Sequence, residues 1–144
     1  MGTLEQIFLN IEQFATDQLG YTFEENEHLP DDWKNYPVAF LRVETETPME
    51  EHPSGYIDTE VDFTLVLLVK APEGTLESDQ RNYRKIKLLQ ESSVLKKFIA
   101  QNYQWGCEAF DTDHVKTTFT FTSDNSWIGF LNFTFTTNYR EKRP

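Results

Sequence analysis

Apolar residues in the first twenty positions recur at three- and four-residue spacing: Leu4, Ile7, Phe8, Ile11, Ala15 and Leu19. That is the repeat of one helix face. It predicts an amphipathic helix over 3–19, with Thr3 as N-cap and Gly20 as stop. Residues 21–37 lose the repeat. They are acidic, they contain Pro30 and Pro37, and they read as a loop pinned to the body by Trp33 and Tyr36. A second helix is expected over 79–103, capped by Ser78 or Asp79 and bent or broken near Ser92–Ser93. Tyr83, Ile86, Leu89, Val94, Leu95, Phe98 and Ile99 would supply its broad apolar face.

Elsewhere the repeat shortens to two. Over 38–46, Ala39, Leu41 and Val43 alternate with Val38, Phe40, Arg42 and Glu44. Residues 47–55 read as a loop. From 56 to 70, Ile57, Val61, Phe63, Leu65, Leu67 and Val69 share one face. The other face starts polar at Asp58, Glu60 and Asp62 and turns apolar at Val66 and Leu68, so the strand should run from a one-sided environment into a two-sided core. Residues 71–74 form a turn. Strands over 115–123 and 126–139 follow, joined by a turn at Ser123–Ser126. Their Phe-Thr-Phe-Thr runs at 119–122 and 133–136 are expected to be cross-strand mates. The order α-β-β-α-β-β gives one α+β domain over 1–144, with two helices packed on a mainly antiparallel sheet.

One strand is too long for that domain. At about 3.3 Å per residue, Tyr56 to Lys70 spans about 50 Å, whereas a compact chain of this length is about 40 Å across. A continuous strand would overshoot, and its first half would project with 38–46 as a long β-hairpin. An isolated two-stranded ribbon is marginal in water, so a neighbouring copy is expected to cover it. A bulge near Glu60–Asp62 that folds the ribbon back is the alternative.

Charge placement adds to this picture. The 144 residues carry a net charge of -11, but residues 1–60 hold 14 acids against 2 bases, and residues 61–144 hold 10 acids against 11 bases. The acidic half is either a solvated surface or one that repels polyanions and meets a basic partner. The bases gather at Arg81, Arg84, Lys85, Lys87, Lys96 and Lys97. Opposite charge at two places suits head-to-tail contacts between copies. The candidate interface residues are Arg42, Glu44, Glu46, Tyr56, Ile57, Asp58, Glu60 and Val61 on the hairpin, and Arg81, Arg84 and Lys85 on the second helix. A pI near 4.6 argues against a basic nucleic-acid-binding module, and no apolar run approaches the ~20 residues that span a bilayer. The first residues do not read as a signal peptide, and a single cysteine fits a reducing compartment.

No catalytic constellation stands out. Cys107 reads as an inert half-buried thiol rather than a nucleophile for His114. His28, His52 and His114 lie near acids but lack ligand spacing, so they read as solvated loop histidines and no metal is expected. Asp111 and Asp113 lack the glycine and closing glutamate of a calcium loop. The six glycines form no phosphate cradle, and no cofactor is expected. Asn132-Phe-Thr134 fits a glycosylation acceptor but lies in an expected strand.

The helix Leu4–Leu19, the Tyr36-Pro37-Val-Ala-Phe40 lead-in to the first strand, the long strand Tyr56–Lys70, the helix after Pro72 and the closing Phe-Thr-Phe-Thr-Thr-Asn-Tyr139-Arg140 resemble the tail terminator proteins of long-tailed bacteriophages. The resemblance implies a structural virion protein without catalytic residues. It would form a homo-oligomeric ring, a hexamer, at the head-proximal end of the tail. Its partners would be other copies of itself, the tail tube protein and a head or neck connector, with no sequence-specific nucleic-acid binding and no membrane. It would be made in the host cytoplasm. A neck adaptor or tube component shares this texture. A different class is a small cytosolic ligand-binding domain or enzyme, with Trp105, Phe119, Phe121, Trp127 and Phe133 lining a pocket between helices and sheet.

Overall fold

The run Phe63-Thr-Leu-Val-Leu-Leu-Val69 is β-branched and aliphatic on both faces, and it puts β3 (Tyr56–Val69) at the centre of a five-stranded sheet. The computed structural model describes residues 3–30, 33–72, 74–107, 109–122 and 127–142. The chain runs α1 (Thr3–Leu19), β1 (Thr22–Phe23), β2 (Val38–Glu51), β3, α2 (Glu77–Gln101), β4 (Ala109–Phe121) and β5 (Gly129–Lys142). The sheet order is β1-β2-β3-β5-β4, and every pairing is antiparallel except the two-residue β1 beside β2. The protein is therefore α+β, with β1 the one strand not expected, inside the segment read as loop.

Two apolar layers hold the sheet. On the helix side, Ile7, Ile11 and Ala15 of α1 and Leu88, Leu95, Phe98 and Ile99 of α2 meet Val61, Phe63, Leu65, Leu67 and Val69. Trp105 closes this layer. It is fully buried, its Nε1 donates to Thr137 Oγ1 at 3.1 Å, and its carbonyl accepts from Asn10 Nδ2 at 2.7 Å, which ties α1 to β5. On the other face, Val38, Phe40, Val66 and Leu68 pack under Leu29, Trp33 and Tyr36, so the acidic segment is pinned where expected. The change of β3 from one buried face to two follows from this second layer.

Four expectations are corrected. First, β2 continues to Glu51, and the reversal is confined to His52–Gly55, where His52 N–H donates to the Tyr56 carbonyl at 2.8 Å. Pro48 is tolerated in a strand because β2 is at the sheet edge there and the register shifts between Pro48 and Glu50, the edge and bulge positions where proline is found. Second, the hairpin is not a two-stranded ribbon. β5 accompanies β3 from Val69↔Gly129 to Tyr56↔Lys142, so the chain shelters that edge itself. Third, α2 runs unbroken through Ser92–Ser93, because buried Ser92 sits in the same packed face as Leu88 and Leu95. Fourth, the Phe-Thr-Phe-Thr runs are offset: Phe119 opposes Leu131 and Phe133 opposes Thr117. The turn expected at Ser123–Ser126 lies outside the described residues.

Gly129 sets how closely α2 approaches the sheet. A Cβ there would stand 2.8 Å from Leu88 Cδ1 and 3.2 Å from Arg84 Cβ. Gly129→Ala should therefore destabilise the fold by about 1–3 kcal/mol, read as a lower denaturant midpoint. An unchanged midpoint would contradict this packing.

Candidate assembly surfaces

The rotation of α2 decides what the molecule shows to solvent. Arg84 is 6 % exposed and points into the end of the sheet. Its Nη1 donates to the carbonyls of Thr122 at 2.8 Å and Ile128 at 3.2 Å, and its guanidinium stacks over Phe121 and Trp127. About two turns further on, and so on the same face, Glu91 is also buried. It accepts from the Tyr21 hydroxyl and pairs with Lys87 Nζ at 3.0 Å. Burial first, and the Glu91 bond second, push the Tyr21 hydroxyl pKa well up. With Arg84 and Glu91 turned inward, Ile86 and Leu89 face outward at 56 % and 60 % exposure. The expectation that both belong to the core is corrected. Leu89 and Phe98 are nine residues apart, about 180° around a helix, and cannot share a face.

The sheet leaves two long edges. Beyond the two residues paired with β1, the outer edge of β2 is open, and Arg42 to Glu51 are all exposed. β4 is the other edge, with Phe110, Val115, Phe119 and Phe121 exposed. Open edges are normally blunted by charge, bulges or cover. Glu44, Glu46, Glu50 and Glu51 and two bulges do this on β2. β4 carries two irregularities of register, at Ala109–Asp111 and His114–Lys116.

The hairpin tip holds the most concentrated chemistry. Asp58 accepts from Arg140 Nε at 2.8 Å and lies 2.7 Å from His52 Nε2, and Glu50 stands beside them. Three potential metal-ligand atoms thus lie within 4.8 Å of one another, a grouping the sequence did not reveal because Asp58 reaches His52 across the turn and Arg140 from β5. His52 is correspondingly not the solvated loop residue expected. The Arg140 guanidinium, 3.2 Å from His52 Nε2, already supplies the cation that balances these acids.

The other candidates divide clearly. Arg42 pairs with Glu27, Glu46 accepts from the Tyr139 hydroxyl at 2.8 Å, and Arg81 lies over Trp127. Glu44, Tyr56 and Lys85 are exposed, while Ile57 and Glu60 are half-buried. Val61 is fully buried and Arg84 nearly so, so both serve the chain's own core rather than a surface. Cys107 is half-buried, with its thiol 3.5 Å from the Gln104 carbonyl. His114 stacks on Phe133, and burial, then Lys96, lowers its pKa. The exposed apolar residues Leu9, Ile86 and Leu89 were missed as surface.

The sequence matches no protein-family model and no curated protein.

Arg140 hydrogen bonds first, and His52 second, hold the Asp58 carboxyl down to about 2. Its stabilising effect is complete above about pH 4 and is lost as pH falls through about 2. Arg140→Ala should return the Asp58 midpoint toward about 4 in a carboxyl-detected NMR titration. A midpoint left near 2 would assign the shift to another source.

Proposed function

We propose that this chain is a structural subunit that assembles into a closed homo-oligomeric ring. In this reading it is a tail terminator, which caps a phage tail tube, stops its growth and presents the other face to the head or neck. The observation that carries the reading is the sheet itself. It is about 46 Å long at β3, against about 40 Å across for a compact chain of this length, and it ends in an open-edged hairpin with no fully buried residue from Thr47 to Tyr56. A monomer gains nothing from ordering such a projection. A ring subunit does, because heterologous contacts need one surface that reaches a different surface of the next copy. Open strand edges supply backbone groups for such contacts.

Charge fits the same reading. An acidic lining along a channel would let DNA pass without gripping its phosphates, and the first 60 residues carry the acids for it. Of the residues expected to line a pocket between helices and sheet, Trp105 and Phe133 are fully buried in the packed layer, and Phe119 and Phe121 are exposed.

Negative-stain electron microscopy with native mass spectrometry tests the proposal. Closed rings are expected, together with tubes of arrested length bearing a ring at one end when tail tube protein is added. A particle that stays monomeric at ~100 μM and leaves tube lengths unchanged would contradict it.

A further inference from the structure

We propose that an acidic groove beside α1 and the basic flank of α2 are the two halves of one head-to-tail contact between copies of this chain. The inference rests on the ring reading and names its interface.

The groove lies between α1 and the open edge of β2. Leu4, Phe8, Leu9 and Val43 line a hollow of about 370 Å³ with almost wholly apolar walls. Phe8 and Leu9 also border an adjoining hollow of about 440 Å³, whose rim carries Glu12, Glu24 and Glu25. Acids crowd here: burial, and then Glu25, raises the Glu12 carboxyl above its usual range. α1 contains no Lys or Arg to offset them. Leu9 and Val43 are each 44 % exposed, so the apolar floor is uncovered in the single chain.

The flank has the opposite character. Ile86 and Leu89 stand out from α2 among exposed Lys85, Lys96 and Lys97, which form no ion pair among the described residues. From Gln80 to Gln101 the helix has one acid, Glu91, and it is turned inward. Lys96 overlooks β4, where its charge helps to lower the His114 pKa. α1 packs beside β1, whereas α2 packs over β4 and β5, so groove and flank lie toward opposite edges of the sheet. Each surface is apolar at its centre and charged at its rim, with opposite signs. One chain carries both, so a copy can offer its groove to one neighbour and its flank to the other. That is the geometry of a heterologous contact, and complementary charge fixes its direction.

Two single variants at exposed positions separate the halves. Leu89→Glu spoils the flank and Leu9→Lys spoils the groove, and unchanged thermal melts establish that both fold. Each alone should self-associate at least about tenfold more weakly than the parent in sedimentation analysis. Mixed in equal amounts, they should form a one-to-one complex of parental affinity, joining the intact flank of Leu9→Lys to the intact groove of Leu89→Glu. That complex should weaken as salt rises. Rings that persist in both variants would overturn the contact and leave the ring reading standing. A one-to-one mixed complex from a parent that forms open filaments would uphold the contact and remove the ring. A parent that stays monomeric, or a flank that binds only a DNA duplex, would overturn the contact.

Discussion

Arg84 sets the azimuth of α2, and most of what the molecule exposes follows from that. The guanidinium is caught between the carbonyls of Thr122 and Ile128 and the rings of Phe121 and Trp127, at the end of the sheet where β4 gives way to β5. Removing a buried, hydrogen-bonded charge from such partners is costly, so the helix is held in this rotation. Gly129 permits the approach, with no side chain between Leu88 and the sheet. Glu91 then falls on Tyr21, and the apolar pair Ile86 and Leu89 has only solvent to face. A helix with two charged residues in its buried stripe, Arg84 and Glu91, and with Ile86, Leu89 and Val94 exposed trades internal burial for an external surface.

The sheet poses the complementary problem. β5 runs beside β3 for the whole length of that strand, which turns a marginal ribbon into a stable multi-stranded blade. It does so by moving the unpaired backbone outward to β2 and β4. The Tyr139 hydroxyl reaches across β3 to Glu46, and Trp105 seals the layer between helices and strands over Thr137. The blade is thus braced from within as far as Thr59, and only its tip is left outside the core. Internal bracing of an extended element is what an assembly arm requires, since an arm that frays would lose in conformational entropy what its contacts supply.

Much of this was legible in the residues. The stripe Ile7–Ile11–Ala15 and the alternation through Phe63, Leu65 and Leu67 named most of the core, because periodicity reports directly on which face is buried. Trp33 and Tyr36 announced the cover over the second face. Most of the failures share one cause, which is that local chemistry was overridden by neighbours distant in the chain. Pro48 reads as a strand stop but is harmless at an edge, and edge position depends on the whole strand order. Arg84 reads as surface, and Glu91 carries no signal at all, because their partners, Thr122, Ile128 and Tyr21, lie 38 to 70 residues away. The seven apolar residues assigned to one face of α2 subtend too wide an angle, a contradiction visible in the sequence alone and the one sign that some of them face outward. The hairpin-tip cluster needed the β3–β5 register before Arg140 could meet Asp58.

Hydroxyl-radical footprinting of the unmodified chain, above and below the concentration at which it self-associates, bears most directly on the claim that α2 is rotated to present a contact surface. Leu9 and Leu89 should lose reactivity together on association, while Tyr103, 47 % exposed and outside both surfaces, keeps its own. Equal reactivity of Leu9 and Leu89 in the dilute and concentrated samples, with association established independently, would contradict the account.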